Sequence, residues 1–183
     1  MRVSFLDGAE AGAALVHLSR DCNTMEWAVA WARPTSEVLT AAFRHEEKFS
    51  RLVIGTHFHQ TDPKVLRRFE KHGFARMRLP TGDTFHPKVY LFQTDENMTA
   101  IVGSHNLTPK AFHGNAEMSV RLDAPASHPE MRRLKDFVLR EWKQAKRIKM
   151  HIAAYELQHQ AKSLLAKALE EFDESISEPF AKS

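Results

Sequence analysis

His86-Pro87-Lys88 opens an apolar run that ends at Phe92. If that run is a strand, His86 and Lys88 project from one face while Val89 and Leu91 turn into a core. A histidine beside a lysine at a strand edge is a way to meet a phosphate. The ammonium holds the charge and leaves the imidazole free for attack or proton transfer. The triplet alone is weak evidence in a chain with 11 histidines and 26 lysines and arginines.

Further residues extend the pattern. Gly103-Ser104-His105-Asn106 closes the next apolar run. Gly103 permits close backbone approach, and Ser104 and Asn106 are neutral donors for phosphoryl oxygens. In Ala116 to Leu122 polar and apolar residues alternate, which reads as a half-buried strand with Glu117, Ser119 and Arg121 on one face. Glu117 there is placed to accept a hydrogen bond from an imidazole N–H and fix its tautomer.

His86-x-Lys88 followed by Gly103-Ser104-x-Asn106 resembles the phospholipase D superfamily, whose signature is H-x-K and then G-S-x-N. The motifs cover roughly residues 80 to 122. The family's aspartate, five residues after the lysine, is here Gln93, with Asp95 two positions late. That departure, with Glu117 eleven residues after Asn106, resembles the branch of metal-independent restriction endonucleases rather than the lipid-cleaving enzymes that carry the motif twice. The resemblance implies a site of His86, Lys88, Asn106 and Glu117 supported by Ser104, with no cofactor and no metal.

The family's chemistry uses two histidines, and this chain has one such motif. The resemblance therefore implies a homodimer with one active site at its interface. One His86 attacks phosphorus, and its symmetry mate protonates the leaving oxygen and later activates water. His105, Arg76, Arg78 and Lys110 are the expected substrate contacts. DNA is expected over RNA, and an ATPase or helicase of a defence system is the partner suggested by analogy.

Alternating strand and helix signals must position these groups, which argues for an α/β sandwich: a mixed central sheet flanked by helices, followed by a long helical segment. Strands are expected at Val3 to Leu6, Met25 to Ala32, Arg51 to Thr56, Phe74 to Leu79, His86 to Phe92, Met98 to Gly103 and Ala116 to Leu122. Helices are expected over Ala9 to Ser19, from Thr35 or Ser36 to about Phe49, and from Asp62-Pro63 to His72-Gly73, with a short helix or turn over Asn106 to Phe112. From Pro129 to about Phe172 the chain reads as helical. Leu157, Ala161, Leu164, Ala168 and Phe172 form a stripe there that suits a core or a dimer seam. Residues 1–127 form the catalytic core and 128–183 the helices packing on it or at the dimer interface.

Composition is ordinary for a globular chain, 43% hydrophobic and 27% charged. No run is apolar enough to span a membrane, and neither a secretion signal nor a second cysteine beside Cys22 is present, which points to a cytoplasmic protein. The net charge of +3 is unevenly spread: basic residues crowd Lys64 to Arg78 and Glu130 to Lys149, and acids gather from Glu170 to Glu178. Basic clusters suit a polyanion, though a solvated helix face is the plain alternative. His57-x-His59 with Asp62 is too sparse for a metal site and reads as a loop near the substrate groove. Trp27 and Trp31 read as core, and Trp142 as a helix anchor. A phospholipase or other small-diester phosphodiesterase, and a nucleic-acid-binding subunit of a defence complex whose site is unused, stay open beside the nuclease.

Overall fold

The computed structural model describes residues 1–177, so the acidic end at Glu178 lies outside the described residues. The elements run β1 (Arg2–Leu6), α1 (Gly8–Asp21), β2 (Thr24–Val29), α2 (Glu37–Phe43), β3 (Phe49–Gly55), α3 (Pro63–Phe69), β4 (Ala75–Arg78), β5 (Lys88–Thr94), β6 (Asn97–Gly103), α4 (Pro109–His113), β7 (Ser119–Pro125), α5 (Pro129–Gln144), β8 (Lys146–Arg147) and α6 (Ile148–Ser177). The strands form one mixed eight-stranded sheet in the order β1-β7-β6-β5-β2-β3-β4-β8. β2, β3 and β4 are parallel, joined by crossovers through α2 and α3, and the remaining neighbours pair antiparallel.

Local chemistry sets the helix starts. Asp7 and Glu10 make a reciprocal capping box on α1, Ser36 caps α2, and Asp62 with Pro63 opens α3. Trp27, Leu52, Ile54, Tyr90 and Phe92 face the core beneath α1, α2, α3 and the first turns of α6. Ala28, Val53, Leu91 and Ala100 face the other way, against Met131 and Val138 of α5.

The expected long helix after Pro129 is broken. α5 belongs to one face of the sheet and α6, through Ile148, Ile152 and Tyr155, to the other. The chain crosses between them as β8, whose Lys146 and Arg147 pair with Met77 and Arg76 and close the edge of β4. Beyond Tyr155 the α6 stripe is not core: Leu157 and Leu164 are largely exposed.

Other boundaries shift at the end of the sheet that matters for function. β2 stops at Val29 rather than Ala32, α2 stops at Phe43, β5 begins at Lys88 rather than His86, and β7 begins at Ser119 rather than Ala116. His86, Trp31 and Glu117 are therefore not ladder residues. The cause at β5 is Pro87, which has no N–H to give; its carbonyl accepts from Ala30 N at 2.9 Å.

Candidate active site

At one edge of the sheet β2, β3 and β6 finish while β5 and β7 begin. Ligands of open α/β sheets gather at such carboxyl ends. A cleft of about 750 Å³ opens here, lined by Trp31, Arg33, His86, Lys88, Asn106 and Glu117, with Ser104 and Lys110 also on its walls.

Backbone bonds hold these segments together. Leu107 N donates to Trp31 O at 3.0 Å and Arg33 N to Leu107 O at 2.8 Å, so the stretch after β2 is stapled to the turn after β6. Tyr90, buried in the core, donates its hydroxyl to His105 O at 2.7 Å and anchors that turn from below. Gly103 is required where β6 meets β7: a Cβ there would lie 2.3 Å from Ser119 Oγ and 2.4 Å from Met118 O.

The central pair is close. Lys88 Nζ lies 2.9 Å from both ring nitrogens of His86, and Lys88 is 5% exposed while His86 reaches the surface. Burial lowers the Lys88 ammonium to about 8, against a smaller opposing pull from Glu117. Burial and then the Lys88 charge push His86 below its ordinary range. At neutral pH the imidazole is therefore neutral beside a cation.

The supporting groups follow. Asn106, nearly buried, accepts from Trp31 N at 3.2 Å through Oδ1, which commits its carbonyl and leaves its NH2 as the available donor. Ser104 Oγ accepts from Met118 N at 3.1 Å. Glu117 precedes β7 instead of lying on it, and its carboxylate accepts from Asn115 at 3.1 Å. Burial would raise its pKa, but bonds from Ser104 and Asn115 and the nearby His105 and Lys88 outweigh that and hold it low. Glu117 thus acts on the site as a fixed negative charge.

Three expected substrate contacts lie elsewhere. His105 is fully buried, with Nδ1 2.6 Å from Ser119 Oγ and its ring stacked on Phe112. The guanidinium of Arg76 lies 3.5 Å over the Trp142 ring and donates to Trp142 O at 3.0 Å. Arg78 binds Gln144 at 2.9 Å and approaches Glu141 at 3.9 Å. Both arginines point at α5, the opposite side of the sheet from α3 and α6. Much of the Lys64 to Arg78 charge is likewise internal: Arg67 pairs with Glu70 and Glu156, and Arg68 with Glu46. Lys110 alone of the four lines the cleft.

Among the cleft residues that escaped the sequence reading are Trp31 and Arg33. Trp31 is not core: its ring meets the His86 ring edge-on at 4.8 Å and lies 5.5 Å from Lys88 Nζ. Arg33 adds a cation. The signal for Trp31 was Pro34, since a strand ending before a proline leaves the preceding residues at the sheet edge. His57 and His59 diverge, with His59 stacked on Tyr155 and Asp62 committed to capping α3.

A model of the family described as cardiolipin synthase, PLD-like domain, matches residues 51–142, half of the chain. The chain belongs to the phospholipase D superfamily. The match to a PLD-like domain classes the chain as a phosphodiesterase, a hydrolase of phosphodiester bonds. Among solved structures, the phospholipase D family member Nuc from Salmonella typhimurium is similar, with TM-score 0.62 and 17% identity over 79% of this chain and 97% of Nuc. NucT from Helicobacter pylori gives 0.59 and 13% over 79% of this chain and 98% of its own. TrmBL2, an archaeal chromatin protein described as binding DNA, gives 0.52 and 14% over 80% of this chain and 54% of its own. No curated protein sequence matches. The phospholipase D sheet thus carries the H-x-K and S-x-N residues to a common edge, and no helix among the described residues is long and apolar enough to cross a membrane.

Proposed function

We propose that the chain is a metal-independent endonuclease that hydrolyses DNA phosphodiester bonds through a phosphohistidine, with one active site built at a homodimer interface. The observation that carries the reading is the single His86–Lys88 pair beside Asn106 in an open cleft. A neutral His86 nitrogen attacks phosphorus; the P–N bond forms as the P–O bond to the leaving nucleoside breaks. The partner's His86 gives its proton to that oxygen. It then takes a proton from water, whose oxygen attacks phosphorus and releases the first imidazole. Lys88 and the Asn106 amide stabilise the charge that develops on the phosphoryl oxygens.

The dimer has two supports. α5 covers β2, β3 and β5 on its face of the sheet, while Phe5 of β1 and Met118, just before β7, remain 67% and 61% exposed. Apolar surface of this kind on a sheet edge marks a contact site. The α6 segment, within residues 128–183, offers Leu157 and Leu164 as a second seam.

The test is cleavage of DNA in excess EDTA by the purified protein and by His86→Ala. Cleavage that depends on His86 and ignores chelator is expected; a magnesium requirement overturns the reading. Mixing exchanged wild-type and His86→Ala subunits separates a shared site from an independent one. For a shared site, activity falls as the square of the wild-type fraction; a linear fall overturns the half-site arrangement. DNA binding without turnover under every condition would instead make the chain a binding subunit.

A further inference from the structure

Phe58 neighbours Trp31 of the cleft wall and is 56% exposed, with its backbone in the left-handed region at φ 58. His59 follows at φ 53. Two consecutive residues with side chains in that region are costly, and such strain persists only where the surroundings impose it. Here they do. Lys162 from α6 donates to the Phe58 carbonyl, His59 N donates to Thr56 O at 3.1 Å, and the His59 ring stacks on Tyr155 at 5.7 Å and 10°. The loop is pinned on both sides, yet the aromatic ring it presents is left in solvent.

The ring's surroundings give its direction. Phe58 meets Trp31 at 6.4 Å, and Trp31 meets His86 at 4.8 Å, so Phe58 is two ring contacts from the nucleophile. Arg33 on the cleft wall and Lys162 on α6 supply positive charge on the same side. An exposed aromatic among cations, just beyond a phosphate site, is the arrangement on which unpaired nucleobases stack while the backbone follows the charges. A residue meant only for the core would be turned inward, and a solvated loop needs neither the ring nor the strain.

We infer that Phe58 is a stacking platform for an unpaired base near the scissile phosphate, so that the site takes single-stranded or locally opened DNA. The inference rests on the nuclease reading and adds to it the form of the substrate. Single-stranded oligonucleotide and a fully abasic oligonucleotide of the same length are the probes, with binding measured by fluorescence anisotropy in a His86→Ala background. Stacking on one aromatic corresponds to a loss of roughly 5- to 100-fold on truncation. Phe58→Ala is expected to weaken the base-bearing strand by that factor and leave the abasic strand unaffected; Phe58→Trp restores binding. Equal weakening of both strands, or no change in either, overturns the inference, as does a drop in native mass for Phe58→Ala, which would make Phe58 a subunit contact. If the unsubstituted protein cleaves DNA in EDTA and Phe58→Ala changes nothing, this inference alone fails. If that protein neither binds nor cleaves any strand, the nuclease reading fails with it.

Discussion

Lys88 holds its ammonium 2.9 Å from both ring nitrogens of His86, and one charge cannot satisfy both with good geometry at once. The contact keeps the ammonium against the imidazole. It also lowers the histidine, so the pH response of the enzyme follows from the pair.

The dependence of kcat/KM on pH should be bell-shaped. The acidic limb belongs to His86 and lies below the ordinary histidine value, because burial and Lys88 both disfavour its charged form. On the alkaline side activity falls first as the partner's His86 loses the proton it must donate, and the remaining limb belongs to Lys88 and falls near 8. Lys88→Arg should move that limb upward, since a guanidinium stays charged. An unmoved alkaline limb in that variant would assign it to another group.

Lys88→Met should abolish turnover and stabilise the fold. The lysine is held near 8 when folded against 10.5 when unfolded, so the unfolded chain binds its proton more tightly. Folding is opposed by this group below pH 8, and the opposition fades as pH rises towards 10.5. Removing it should gain about 2 kcal/mol at neutral pH in denaturant unfolding, after allowance for residual solvation. The gain should shrink in alkaline buffer; a loss of stability at neutral pH would refute the assignment.

Gly103→Ala should be damaging on both counts. Its Cβ would collide with Ser119 Oγ and Met118 O, forcing β6 and β7 apart at a cost of about 1–3 kcal/mol. The shift carries Ser104, Asn106 and Glu117 with it, and roughly 100-fold loss of kcat is expected from misplacement on the ångström scale. Gly73→Ala, where a Cβ meets nothing within 4 Å, serves as the matched control.

Arg76 and Lys110 should part company. Arg76→Ala loses the Trp142 stack and a backbone bond, so it should cost about 1–2 kcal/mol of stability without changing KM for DNA. Lys110→Ala should leave the melting curve alone, raise KM several-fold and flatten its salt dependence. A raised KM for Arg76→Ala with unchanged stability would mean the arginine serves the substrate after all.

The order of strands and helices was legible because apolar runs and caps such as Asp62-Pro63 are local signals. His86, Lys88, Ser104, Asn106 and Glu117 were legible as a motif, and the cleft brings all five together. What could not be seen is where a ladder ends. Pairing stops at Val29 and begins at Lys88 and Ser119 because of partners far away in sequence, and this decides that Trp31 joins the site. His105, Arg76 and Arg78 misled for a related reason. Their types suit phosphate, but which face of the sheet they occupy depends on α5 and Phe112 closing over them.

The cleft draws on residues 31–33, 86–88, 104–110 and 117, while β1, the first strand of the chain, is held by β7 alone. A ribosome must therefore release the chain past residue 125 before the first strand finds its neighbour. The catalytic groups themselves come together only once the segment carrying Glu117 has joined the three before it. The site is thus a property of the assembled sheet and of no single segment of the chain.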